Sequence, residues 1–364
     1  MLPGTCSSPW GGIAIDSTGT AQAAPTQVIQ HVRLEGALGA AGSGALSVTG
    51  SKASVEGCSI KGLGPAVTAA SSLITAIDSS FHAPSGDSEV VRVSGAGQSR
   101  SAIERCGIEA GLGNGISLSL ASIDLRENTI GGADGAGIAI TGDGPLGGVL
   151  LQQNIVHDCG VGVSVSNGAH VTGDHDTVSG NDVGLLLQRR GASSDGGHVT
   201  LHSVIVWSNT EGVSVDSASS AAFTFSDIGS GPWPGAGNIT DDPRFLDFLA
   251  PDYRLRAASP CIGSGMDGTD MGALPFDSSA VPFIRMDADG SGTVNVTDAI
   301  RVLDFLFRSG APPACMDAAD GNDDGEVDIS DPVSLLLYLF VGGITPPPPF
   351  PDPGQDPTSD GLGC

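Results

Sequence analysis

Between Val149 and Leu187 apolar and polar residues alternate with the two-residue period of a strand, and glycines interrupt them at intervals too short for a helix. A strand ending Asn154-Ile155-Val156 is followed by a glycine turn and a second strand, Gly162-Val163-Ser164-Val165. The phrase returns 22 residues later as Asp176-Thr177-Val178 and then Gly184-Leu185-Leu186-Leu187. A unit this short cannot bury its own apolar face, so it must lie on a copy of itself.

Aligned on the last inward residue of the first strand, the copies fall at Leu34, Ile60, Phe81, Ile108, Ile130, Val156, Val178, Val206 and Ile228, spaced 21 to 28 residues apart. The second strand keeps step at Leu46, Val67, Val91, Ile116, Ile138, Val163, Leu185 and Val213. Repeats of this length, rich in β-branched and small residues with glycine at the corners, predict a parallel β-helix, with a β-sandwich as the competing reading. Parallel crossovers are almost always right-handed, so the coil is expected to be right-handed. It should occupy residues 10–230 and close between Gly229 and Pro275, where a segment without the rung period is expected to cover the open apolar end. The expected domains are a β-helix with its closing segment over 1–275, a linker over 276–282 and a small module over 283–364.

Two positions before the reference residue runs an inward column of Val32, Cys58, Ser79, Cys106, Asn128, Asn154, Asp176, Val204 and Ser226, suited to an internal hydrogen-bonded ladder. Cys58 and Cys106 stand two rungs apart in it, roughly 10 Å, too far for a disulfide, and read as small buried fillers. Two outward columns form a polar strip: Asp78, Arg105, Glu127, Gln153, His175 and Ser203 in one, Lys61, His82, Glu109, His157, Ser179 and Trp207 in the other. Arg105, Glu127, His157 and His175 are the candidate acid and base groups if the strip cleaves polysaccharide as a lyase or glycoside hydrolase; the plainer reading is a solvated face with an Arg105 to Glu127 pair. His170, Asp174, His175 and Asp176 look like a metal set, but alternation sends His175 and Asp176 to opposite sides. Trp207 and Trp233 are candidate sugar-stacking surfaces.

Composition narrows the function classes. Of 364 residues 55 are Gly and only 4% are aromatic, which suits narrow stacked rungs. The formal charge of −26 disfavours nucleic acid and anionic lipid as partners, and no apolar run is long enough to span a bilayer. No basic-then-apolar leader opens the chain, so the expectation is a piece of a longer secreted protein.

After the linker the composition changes, and two twelve-residue acidic loops start 33 residues apart. Calcium takes six to eight oxygens, supplied in such loops from positions 1, 3, 5, 7, 9 and 12. Here these are Asp287, Asp289, Ser291, Thr293, Asn295 and Asp298, then Asp320, Asn322, Asp324, Glu326, Asp328 and Asp331. Thr293 and Glu326 would act through the backbone carbonyl, Asn295 and Asp328 through water. Gly292 and Gly325 allow the sharp turn at position 6, and Val294 and Val327 are placed to pair as a short strand. Two Ca²⁺ ions are therefore expected, and a core this small should unfold without them. Each loop runs into an amphipathic helix, 298–308 burying Ile300, Leu303, Leu306 and Phe307, and 331–341 burying Val333, Leu336, Leu337 and Phe340. No convincing helix precedes either loop. The Pro-rich stretch 346–353 should be extended, and a Cys315 to Cys364 disulfide is predicted to fold this tail over the module.

Two resemblances follow. The phrases DPRF, DYRL, SPCIGSG and TDMGAL between Asp242 and Leu274 resemble the closing segment of secreted bacterial right-handed β-helix repeat proteins, which implies the fold and no catalytic residues. The paired loops, with Asp instead of Glu at position 12, differ from an ordinary EF-hand and resemble the dockerin family. That resemblance implies a calcium-dependent tether to a cohesin-like or other surface protein, with possible contact to polysaccharide, outside the cell or on its surface. The family's recognition positions 10 and 11 are Val296-Thr297 and Ile329-Ser330, more apolar than its frequent Ser-Thr pair.

Overall fold

Each rung holds three short strands where the sequence pattern suggested two. In the computed structural model, which describes residues 13–16, 27–37, 45–62, 64–83, 89–95, 100–143, 147–191, 193–247, 252–256, 259–276, 282–354 and 362, one such rung is Val161–Ser166, Ala169–Asp174 and Thr177–Ser179. Repeated, these make three parallel sheets of nine strands each, stacked in chain order. The reference column is the pairing register of the third sheet, from Leu34↔Ile60 through Val156↔Val178 to Val206↔Ile228. The second column is the register of the first sheet, from Leu46↔Val67 to Leu185↔Val213. Their side chains fill a single buried stack.

The middle sheet, which includes Val149–Gln152, was hidden because no glycine marks the corner at Gln153 that separates it from the strand Ile155–His157. The chain turns between the second and third sheets through a residue in left-handed conformation. That corner column is Asp78, Arg105, Glu127, Gln153, His175 and Ser203, with φ between 49° and 58°. Left-handed backbone costs roughly 1–2 kcal/mol for a side-chain-bearing residue. Each of these N–H groups donates to a carbonyl on the next rung, at 2.9 to 3.1 Å, and the same bond recurring along the coil offsets that cost.

One residue inward from this corner lies the predicted ladder. Asn128 Nδ2 donates to Asn154 Oδ1 at 2.9 Å, and Asn154 Nδ2 donates to Asp176 Oδ1 at 2.9 Å. The amides also donate to the carbonyls of Ile103 and Leu125, and each Oδ1 accepts the backbone N–H one rung below. A second ladder, at the corner between the third and first sheets, joins Asn181 to Asn209, with Cys159 N–H on Asn181 Oδ1. That corner also needs glycine: a Cβ on Gly162 would stand 2.6 Å from both the Gly184 carbonyl oxygen and Val178 Cγ1.

Rung length varies in a regular way at the remaining corner, between the first and second sheets. From the third rung onward the connections alternate. The pairs Ala70 and Leu73, Ala121 and Ile123, Ser166 and Ala169, and Val215 and Ser220 are separated by one to four residues. Ser94 and Ser101, Asp143 and Val149, and Gln188 and Gly197 are separated by five to eight.

At the last rung Ile239 forms a parallel bridge with Asp227, and Asn238 Oδ1 accepts the Ser226 N–H at 3.1 Å, extending ladder and sheet by one step. Part of the expected closing segment does not cover the end: residues 263–274 lie along the side of the late rungs. There Met266 N–H donates to Ser203 Oγ at 3.0 Å and Ala273 N–H to Thr177 Oγ1 at 2.9 Å.

The chain divides into two compact units, Met1–Pro243 with Gly263–Leu274, and Arg244–Ile262 with Pro275–Cys364. The second unit holds an antiparallel hairpin, Phe245–Asp247 with Asp252–Leu255, and three helices: α1 (Val296–Arg308), α2 (Met316–Ala319) and α3 (Ser330–Val341). α2 is a single turn directly before the second acidic loop. The buried helix faces differ from expectation. α1 buries Asp298, Ala299 and Val302, and α3 buries Asp331, Pro332 and Leu335. Ile300, Phe307, Val333, Leu337 and Phe340, predicted to be core, are exposed. The core is instead built from small residues and the loops themselves, with Met286, Ala299 and Leu335 in one cluster and Ala288, Val302 and Ala319 in another. Val294 and Val327 pack into those two separate clusters and lie in no strand. The Pro-rich tail folds back on the module through Phe283 N–H to the Gly354 carbonyl at 2.9 Å and Arg285 N–H to the Pro349 carbonyl at 2.7 Å.

Candidate metal centre

The two acidic loops repeat one pattern of bonds. Position 1 accepts the N–H of the position-6 glycine, Gly292 to Asp287 Oδ2 and Gly325 to Asp320 Oδ2, both at 2.8 Å. Position 12 accepts the N–H of position 9, Asn295 to Asp298 Oδ2 and Asp328 to Asp331 Oδ2, again both at 2.8 Å. Loop and helix start are thus locked together, and in α1 Asn295 and Asp298 form a capping box.

These bonds turn carboxylates inward. Asp298 and Asp320 are 0% exposed and Asp331 1%. Ligand oxygens of Asp287, Asp289 and Asp298 all lie within 4.8 Å of one another, the one such gathering of three His, Cys, Asp or Glu among the described residues. Burial pushes the Asp298 carboxyl up, and burial together with neighbouring Asp320 pushes Asp331 up to about 6. Hydrogen bonding from Ser291 holds the exposed Asp289 below the ordinary range. Buried carboxylates facing one another favour a shared proton or a cation between them. The donor set is all oxygen, which suits a hard divalent cation.

One residue not foreseen supports the second loop. Arg285 is 1% exposed, donates to the backbone carbonyls of Asp317, Asp320 and Pro348 at 3.2, 2.9 and 2.9 Å, and pairs with Asp323 at 2.9 Å. Its sequence signal is slight: a lone basic residue two positions before the first loop. Cys315 is disulfide-bonded; Cys364 lies outside the described residues. Among the predicted recognition residues, Val296 and Ile329 are 41% and 50% exposed.

On the coil, three of the four strip candidates have separate partners. Arg105 forms a bidentate pair with Asp78 at 2.7 and 3.2 Å, instead of the expected pair with Glu127, and its guanidinium holds the Asp78 carboxyl below the usual range. His157 bonds its neighbour Asp158 at 2.8 Å, and His175 lies between Asp174 at 3.0 Å and the Thr269 hydroxyl at 2.9 Å. Arg105 and His175 are three rungs apart, roughly 14 Å. Arg105, Glu127, His157 and His175 are therefore not gathered around one reacting bond. His170 points away from the suspected metal set, to Asp143 at 2.6 Å, and stacks on His198 with ring centroids 4.9 Å apart. Trp207 and Trp233 flank one cleft at the end of the coil.

A family model described as a right handed beta helix region matches residues 11–192 and, overlapping, 89–237. A crystal structure of pectate lyase Pel9A is similar at 13% identity and TM-score 0.39, over 74% of this chain and 87% of that one. No curated protein matches the sequence.

Proposed function

The chain belongs to the right-handed β-helix family, and from that premise we propose an exported coil that contacts polysaccharide and is tethered to a protein partner by a dockerin-like module holding two calcium ions. The observation that carries this reading is the twice-repeated loop in which buried carboxylates face inward on a fixed backbone frame. Asp287, Asp289, Ser291 and Asp298 would hold one ion, with Thr293 through its carbonyl and Asn295 through water. Asp320, Asn322, Asp324 and Asp331 would hold the other, with Glu326 and Asp328 in the matching roles.

Exposed apolar side chains support a docking role. Ile300, Phe307, Val333, Leu337 and Phe340 stand 46% to 70% exposed on α1 and α3, a large apolar surface for so small a module. Val296 and Ile329 at the loop ends extend it, which suits a cohesin-like partner with an apolar face. Calcium would fix the angle between the helices and so present this surface. The separate pairing of the polar-strip residues supports contact with polysaccharide over cleavage.

The test is a thermal melt of the whole chain with millimolar calcium and with chelator, followed by capture on a panel of immobilised cohesin domains. Calcium should raise the melting temperature of one transition, with capture lost on chelation. Identical melts in both buffers would overturn the reading.

A further inference from the structure

We propose that the cleft between Trp207 and Trp233 is a binding subsite for neutral oligosaccharide. It rests on the reading of the coil as a polysaccharide-contacting surface and supplies the place and the chemical class. The cleft, of about 640 Å³, lies where the last rung turns from the third sheet to the first and the chain leaves the coil at Gly229 and Ser230. On the rung before, this corner is covered by the next turn, and at Gly229 and Ser230 the coil stops and leaves it open.

Both indoles are held in place. Trp207 ends the strand Ile205–Trp207 and lies over Gly229, where a Cβ would come within 2.4 Å of its ring. Trp233 packs edge-on against buried Phe223 at 5.1 Å, and the Asn238 amide anchors its loop by donating to the carbonyls of Trp233 at 3.2 Å and Phe223 at 3.0 Å. A pyranose offers an apolar C–H face and a rim of hydroxyls. A fixed indole suits the first, and the side chains of Ser208, Thr210, Glu211 and Ser230 along the cleft suit the second.

Charge decides the class. The residues lining the cleft include one carboxylate, Glu211, and no Lys, Arg or His. A uronate or sulfated sugar would meet that carboxylate and a chain of formal charge −26 with no counter-charge at the site. A single carboxylate also leaves glycosidic cleavage without its usual second acid, so the site binds without cutting.

Affinity electrophoresis of the full chain through gels containing a neutral glucan, mannan or galactan, or polygalacturonate, tests this, with calcium present throughout. At least one neutral polymer should retard the protein and polygalacturonate should not. Trp207→Ala and Trp233→Ala should each weaken retardation at least tenfold, and Trp207→Tyr should restore part of it. Circular dichroism melts of each variant separate lost binding from lost folding. Retardation by a neutral polymer that survives both Ala variants overturns the site and leaves the coil as a polysaccharide binder. Retardation by polygalacturonate alone overturns the neutral class. No retardation by any polymer overturns both this subsite and polysaccharide contact, while leaving the calcium tether to its own melt.

Discussion

Asp176 ends the asparagine ladder, and replacing it with Asn should stabilise the coil in a way that depends on pH. Its Oδ1 accepts two bonds from Asn154, the backbone N–H and the amide, both at 2.9 Å. Its Oδ2 is buried and has no hydrogen-bond partner among the described residues. Burial pushes this carboxyl up to about 7 from an ordinary value near 3.8. The folded state therefore holds a proton that the unfolded chain releases, so stability is fullest below about pH 4 and falls as pH rises towards 7. A rise of that size sets a ceiling of about 4 kcal/mol, or on the order of 10 °C in melting temperature for a domain this size. Asn carries no charge to desolvate. Its Nδ2 would also take the place that the Asn128 and Asn154 amides hold in the ladder, where each donates to a carbonyl of the preceding rung, Ile103 and Leu125. The assay is the melting temperature of wild type and Asp176→Asn between pH 4 and 8. The variant should gain steadily on wild type up to pH 7 and then hold a constant lead. A difference that stays flat with pH, or a variant less stable at pH 8, would refute the reasoning.

Three further outcomes are expected. Asp298→Ala and Asp331→Ala should each abolish one calcium-binding step in titration calorimetry while leaving the melt of the coil unchanged. Gly162→Ala should destabilise the coil by about 1–3 kcal/mol, because its Cβ meets a carbonyl and a buried methyl with no room to move, and chemical denaturation measures this directly. Arg285→Met should cost about 3–5 kcal/mol in the module by leaving Asp323 and three carbonyls without their donor, and limited proteolysis should then cut the Pro-rich tail first.

The sequence showed most clearly what the rungs repeat. Inward residues such as Ile130, Val156 and Val178 stack on each other, so each rung needs the same residue type at the same place, and their alignment was the strand register. The Asn128, Asn154 and Asp176 ladder was visible for the same reason. The middle sheet was not, because a corner made by Gln153 or Arg105 in left-handed conformation carries no glycine to mark it. In the second unit, loop spacing displayed the residues that carry the repeated bonds, since positions 1, 6, 9 and 12 do the same work in both loops. The helix faces were misjudged because α3 reads Leu335-Leu336-Leu337-Tyr338-Leu339-Phe340. A run that is apolar all round does not say which side faces in. The strip residues looked convergent because a column on paper hides the separate partners that Arg105, His157 and His175 have in space.

The alternation of short and long connections at the corner between the first and second sheets puts a long connection on every second rung, so that its ends recur along one edge of the coil at a pitch of roughly 10 Å. Foreign peptides grafted into Asp143 to Val149 and Gln188 to Gly197 would be held side by side at that fixed interval, and the spacing of any pair could be chosen by counting rungs.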